Sequence, residues 1–109
     1  MSPVQNIFAP ALTKSDQELF ETLVESPSFR IERILSDGQA TPDGQWLDQD
    51  WDEWVLLLEG AAALTIEGRR DPIELRPGDY LAIAAHQKHR VEWTAPDRTT
   101  YWLAFHYLR

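Results

Sequence analysis

From Trp46 to the C-terminus no helical period is present, and short apolar runs recur between turn signals at intervals of roughly eight to twelve residues. That rhythm restricts the chain to an all-β sandwich or barrel. Trp54 to Leu58 is a continuous apolar run stopped by Glu59-Gly60, which predicts a strand buried on both faces. Leu64 and Ile66 alternate with Thr65 and Glu67, Gly68 to Asp71 turns, and Ile73 and Leu75 alternate with Glu74 and Arg76, so a hairpin is expected. Arg76-Pro77-Gly78-Asp79 turns into an apolar strand, Tyr80 to Ile83. His89 to Thr94 and Thr99 to Tyr107 then complete the series.

Before this region the pattern changes. Residues 1–14 carry Pro3 and Pro10 and no period, and read as an arm. Ser15 with Glu18 has the form of a capping box, and Leu19, Phe20, Leu23 and Val24 follow at helical spacing, so a short N-terminal helix is expected, ended by Ser26-Pro27. Phe29 to Leu35 returns to extended structure, and Ser36 to Gly44 is a loop by composition. The expected organisation is one domain: an arm and helix over 1–28, then a barrel over 29–109.

At 109 residues the chain can bury one core but not two. A net charge of -8 without a basic stripe argues against nucleic acid and anionic membranes as partners. No apolar run reaches the length of a bilayer span, and the first residues lack the basic and apolar segments of a signal peptide, so a cytoplasmic protein is expected. The absence of cysteine removes disulfides, thiolate ligands and Cys nucleophiles. Neither a G-x-S-x-G elbow nor a phosphate-cradling glycine loop is present.

Strand alternation places His89 on the same face as Val91 and Trp93, looking into the barrel. A titratable ring on an apolar face calls for partners. Gly78-x5-Ala84-x-His86-x2-His89-x3-Trp93 resembles the second cupin motif, G-x5-P-x-G-x2-H-x3-N, with Ala84, His86 and Trp93 replacing Pro, Gly and Asn. Glu53, six residues and Gly60 resemble the E-x6-G end of the first motif. The resemblance covers about Gly38 to Tyr107. It implies a double-stranded β-helix, or jelly roll, whose cavity faces both motifs, and a homodimer.

Members of that family complete a Zn, Ni, Fe or Mn site with an H-x-H before the glutamate. Here those positions are Leu47 and Gln49, or Trp46 and Asp48 with a longer spacer. The resemblance therefore implies Glu53 and His89, with Gln49, or else Asp48 or Asp50, as an oxygen donor, as the reduced ligand set for a divalent metal. His86 or His106 could enlarge it; read singly, His86 is an exposed turn residue and His106 a core histidine bonded to a backbone carbonyl. Asp48, Asp50 and Asp52 read as a solvated loop. Trp93, sharing the face of His89, is expected to line the cavity as an aromatic wall suited to a sugar or an aromatic acid. Two functions compete. In one, the barrel binds a metal or small molecule, with Glu53 and His89 as ligands or as a catalytic acid-base pair. In the other, the chain is a metal-free, non-catalytic binding or structural module.

Overall fold

The computed structural model describes residues 3–11 and 16–109, and among them every regular element is a strand. These are β1 (Leu19–Ser26), β2 (Phe29–Ser36), β3 (Asp52–Glu59), β4 (Ala62–Ile66), β5 (Ile73–Leu75), β6 (Tyr80–Ile83), β7 (His89–Thr94) and β8 (Thr100–Tyr107). They form two antiparallel sheets, ordered β1-β2-β8-β3-β6 and β5-β4-β7, that face each other as a jelly roll. No helix among the described residues is long and apolar enough to cross a membrane.

The core lies between the sheets. Val55 and Leu57 of β3 and Trp102 and Ala104 of β8 meet Ala62 and Leu64 of β4 and Val91 of β7. From Glu53 to Leu58 burial in β3 alternates; Trp54, Leu56 and Leu58 sit half-buried on the outer face, so the expectation of burial on both faces is corrected. The apolar run arises because that outer face is itself aromatic: Trp54 stacks at 5.2 Å on Tyr80, and Phe29 at 5.9 Å on Phe105.

The expected N-terminal helix is absent from the described residues. Ser15 lies outside them, and Leu19 to Ser26 is β1, paired antiparallel with β2. A register shift between Thr22 and Val24 inserts one extra residue, and such a bulge breaks the two-residue alternation of a strand. Leu19, Phe20, Leu23 and Val24 consequently mimic a helical period. The 28/29 boundary falls in the tight β1–β2 turn, where Ser26 pairs with Phe29. Upstream, the arm is held by Arg33, which donates to the carbonyls of Ile7 and Ala9 at 3.0 and 2.6 Å, and by Phe8, edge-on to Tyr101.

Register places the polar residues. Across the larger sheet Arg30 pairs with His106, His106 with Glu53, and Glu53 with Ile83, forming one inward row. The next rows inward are Glu32, Ala104 and Val55, then Ile34, Trp102 and Leu57. Ionisable side chains thus crowd one end of the barrel, and hydrocarbon fills the other.

At the far end Gly60 turns β3 into β4 with φ of 94°, and a Cβ there would meet Thr100 Cα at 2.7 Å and overlap its Oγ1. Both the strained backbone and the clash act against a side chain. Gly60→Ala is expected to lower unfolding free energy by about 2–4 kcal/mol in urea titrations, against about 1 kcal/mol for Gly68→Ala, whose Cβ meets nothing within 4 Å. Equal costs would show that the contact with Thr100 is unimportant.

Candidate functional site

The polar row opens into a cavity of about 330 Å³ between the two sheets. Val55, Leu64, Ile83 and Trp102 form its buried wall, while Phe20 and Leu47, 59% and 38% exposed, stand at its mouth. Inside are Glu53 and His89, brought together as the motif spacing predicts, and with them His106, Glu32, Arg30 and Glu18.

His89 is 4% exposed. Its Nδ1–H donates to the carbonyl of Gln87 at 2.9 Å, and its Nε2 lies 3.7 Å from Glu53 Oε1. Its backbone exchanges hydrogen bonds with Leu47, so the 46–51 loop is zipped to β7 beside the mouth. His106, 5% exposed, donates from Nε2 to Glu32 Oε1 at 2.8 Å. The expected backbone carbonyl partner is replaced by a carboxylate, which Ala104 makes possible by leaving the adjacent inward position nearly empty. Glu53 Oε2 is 3.9 Å from His106 Nε2. Neither contact of Glu53 is a hydrogen bond, so both of its oxygens remain open to a ligand.

These surroundings set the protonation. Burial pushes the Glu53 carboxyl up to about 7, the nearby Glu32 carboxylate adds to the rise, and Arg30 opposes it. Burial lowers His106, against the pull of Glu32, and keeps the imidazole neutral. Burial likewise raises Glu18, which accepts a hydrogen bond from Ser36, itself an acceptor for Trp102 Nε1–H at 3.1 Å.

Several expected site residues lie elsewhere. Trp93 is 41% exposed and borders a separate surface cleft with Gly60, Arg76 and Pro77, so its assignment to the cavity wall is corrected. The reason is a bulge: Ala63 pairs with Trp93 but Leu64 with Val91, so Glu92 is the extra residue and the alternation reverses after Val91. The indole in the cavity wall is Trp102. His86 is an exposed turn residue in the left-handed region, φ 64°, with Nδ1 3.0 Å from Asp48 and Nε2 3.7 Å from Asp50. Asp52 is buried, in contrast to its expected place in a solvated loop; it accepts the amide of Ala85 at 2.8 Å and pairs with Arg109. It thereby fixes the turn that leads into β7. Glu32 and Arg30 carried no motif signal and were missed; only their alternation with Phe29, Ile31 and Arg33 could have found them.

The donor set does not fit a divalent metal of the family type. Leu47 occupies the first ligand position and puts hydrocarbon into the cavity. His106 commits its Nε2–H to Glu32 and cannot offer that nitrogen's lone pair. What remains is one imidazole, one carboxyl with a raised pKa and the Gln49 amide, and such a set is weak for Zn, Ni, Fe or Mn. Among the described residues no group of three or more His, Cys, Asp or Glu is arranged to hold a metal ion.

A jelly roll with inward Glu and His from the two motif strands defines a cupin barrel. Residues 35–106 match the family model described as Cupin domain, and the chain belongs to that family. A candidate mannose-6-phosphate isomerase from Ralstonia eutropha JMP134 superposes with a TM-score of 0.93 and 42% identity, over 99% of this chain and 100% of that one. A cupin superfamily protein from Desulfitobacterium hafniense DCB-2 gives 0.72 and 22% over 91% and 84%. An RmlC-like cupin from Desulfovibrio desulfuricans gives 0.71 and 17% over 97% of each. The last two are alike in fold alone. No curated protein matches the sequence.

Glu53 links this site to stability. Its carboxyl is raised from 4.5 to about 7 in the fold, so the folded state binds the extra proton. Its contribution is fully present below 4.5 and is lost as pH rises through about 7, a swing of about 3 kcal/mol. His106 titrates with the opposite sign, so the comparison with Glu53→Gln isolates the glutamate. The variant's stability relative to the parent is expected to rise by up to that amount between pH 5 and pH 8 in chemical denaturation. A difference that stays level with pH would contradict the burial assigned to Glu53.

Proposed function

We propose that this cupin binds a small, hydroxylated molecule of sugar type in its barrel and exchanges a proton with it through Glu53 and His89, without a metal. The observation that carries this reading is the buried Glu53 carboxyl, raised to about 7, facing Nε2 of His89 across 3.7 Å. A carboxyl poised at the working pH can take a proton from a carbon beside a carbonyl and return it to a neighbouring atom, which is the chemistry of an isomerase or epimerase. His89, its tautomer held by Gln87, shares that proton through Nε2. At about 330 Å³ the cavity lies near the lower end of the range for small-molecule sites, which suits one sugar ring. The candidate mannose-6-phosphate isomerase of Ralstonia supports a sugar-like ligand from an independent direction.

The test is hydrogen exchange in D2O, followed by proton NMR, with a panel of aldoses and uronic acids. The parent protein is expected to wash out the proton next to the carbonyl of at least one of them, and Glu53→Gln and His89→Ala to slow this about 100-fold or more. Saturable binding without exchange would favour the non-catalytic module instead. Dialysis against EDTA is expected to leave both exchange and melting temperature unchanged. Loss of activity restored by Zn, Ni, Fe or Mn would return Gln49, Glu53 and His89 to the role of ligands.

The same proposal includes a cytoplasmic homodimer. The outer face of the larger sheet carries Phe29, Trp54, Tyr80, Phe105 and Tyr107, flanked by Leu23 and Val24, which are 42% and 49% exposed. An aromatic face of this kind suits a second copy of the chain. Sedimentation at micromolar concentration is expected to give the dimer mass and Tyr80→Glu to shift it toward the monomer; a monomeric parent would remove this part of the reading.

A further inference from the structure

We infer that Arg30, at the mouth of the cavity, receives the anionic end of the ligand, and that the ligand is a hexose-length sugar acid whose carboxylate sits on Arg30 while its carbonyl end lies at Glu53 and His89. This deepens the sugar-binding reading above and rests on it.

Four observations support the assignment. First, Arg30 lines the cavity, and its side chain is 38% exposed, so it can be reached from both the interior and solvent. Second, its guanidinium makes no hydrogen bond among the described residues. Nε is buried and unpartnered, and Glu32 Oε2, at 3.6 Å, is too far to accept from it. A buried N–H left without a hydrogen bond costs free energy until an acceptor arrives. Arg33, three residues on, also leaves Nε unpartnered but spends NH1 and NH2 on Ile7, Ala9 and Glu21, bonds that Arg30 lacks. Third, Arg30, His106 and Glu53 stand in one cross-strand row, which separates Arg30 from Glu53 by two strand spacings, about 10 Å between backbones. With both side chains reaching into the cavity, a five- or six-carbon chain bridges the gap. Fourth, the Trp51 ring lies 6.0 Å from the guanidinium carbon and limits its swing.

The same surroundings select the kind of anion. Glu18 and Glu32 also border the cavity, and Glu32 lies beside Arg30 itself. A single guanidinium among carboxylates can satisfy a monoanion, and a planar carboxylate matches its fork. A phosphate dianion would add a second charge facing Glu32 without a second cation to meet it. The ligand chemistry is therefore an anionic sugar, and of its two forms, acid and phosphate ester, the acid is the one the cavity accommodates.

The experiment is calorimetric titration of the full chain at low ionic strength with D-glucuronate, D-mannuronate, D-mannose 6-phosphate and neutral D-mannose. It is repeated on Arg30→Gln, Arg30→Lys and Glu53→Gln, with thermal melts confirming that each variant is folded. The parent is expected to bind at least one of the two acids at least tenfold more tightly than mannose or mannose 6-phosphate. Arg30→Gln should abolish that preference while leaving mannose binding within about twofold, and Arg30→Lys should retain part of it. A purely structural role for Arg30 would weaken every ligand alike and would overturn the assignment, as would tighter binding of the phosphate ester. Binding of neutral mannose that depends on Glu53 but shows no preference for acids would leave the sugar-binding reading standing and remove only Arg30. No binding by any of the four would remove both.

Discussion

Much in this barrel depends on burying ionisable groups where they can answer one another. Glu32, Glu53, His89 and His106 are each at least 91% buried on the inner faces of the sheets, where an isolated charge would cost several kcal/mol. The structure reduces that cost by giving Glu32 a hydrogen-bond donor in His106, lowering the His106 pKa by burial, tying His89 Nδ1 to the Gln87 carbonyl, and holding Glu53 near the point of protonation. The result is one carboxyl, Glu53, raised to about 7 inside the barrel.

That set also differs from the donor set of a metal-binding cupin. In a metal-binding cupin the cation would balance inward carboxylates and orient imidazoles. Here backbone carbonyls and carboxylates orient them: Gln87 holds His89, and Glu32 holds His106. Replacing the H-x-H positions by Leu47 and Gln49 removes nitrogen donors and adds an apolar lip to the mouth.

Much of this was readable without coordinates. The strands from Trp54 onward, the β4–β5 hairpin and the juxtaposition of Glu53 with His89 follow from alternation and motif spacing, because both are local or tied to fixed loop lengths. Trp93 and the stretch around Leu19 were misread for one shared cause. Each strand carries a bulge, at Glu92 and at Leu23, and a single inserted residue reverses every face assignment beyond it. Glu32 was invisible for a different reason: in FRIERILS both Glu32 and Arg33 are buried, one facing the cavity and the other the arm, so polarity does not reveal which way either points.

The sequence alone determined the fold class, the family, the two inward residues and the replacement of the H-x-H histidines. These rest on residue identity and on separations along the chain, which no later folding step can alter. Tertiary structure decided which further groups join them. Arg30, Glu32 and His106 meet Glu53 only because β2, distant in sequence, docks on β8 in one register and β8 on β3 in another. The protonation of Glu53 was likewise undecided until the chain closed, since it depends on the water that the two sheets exclude and on charges supplied from separate strands.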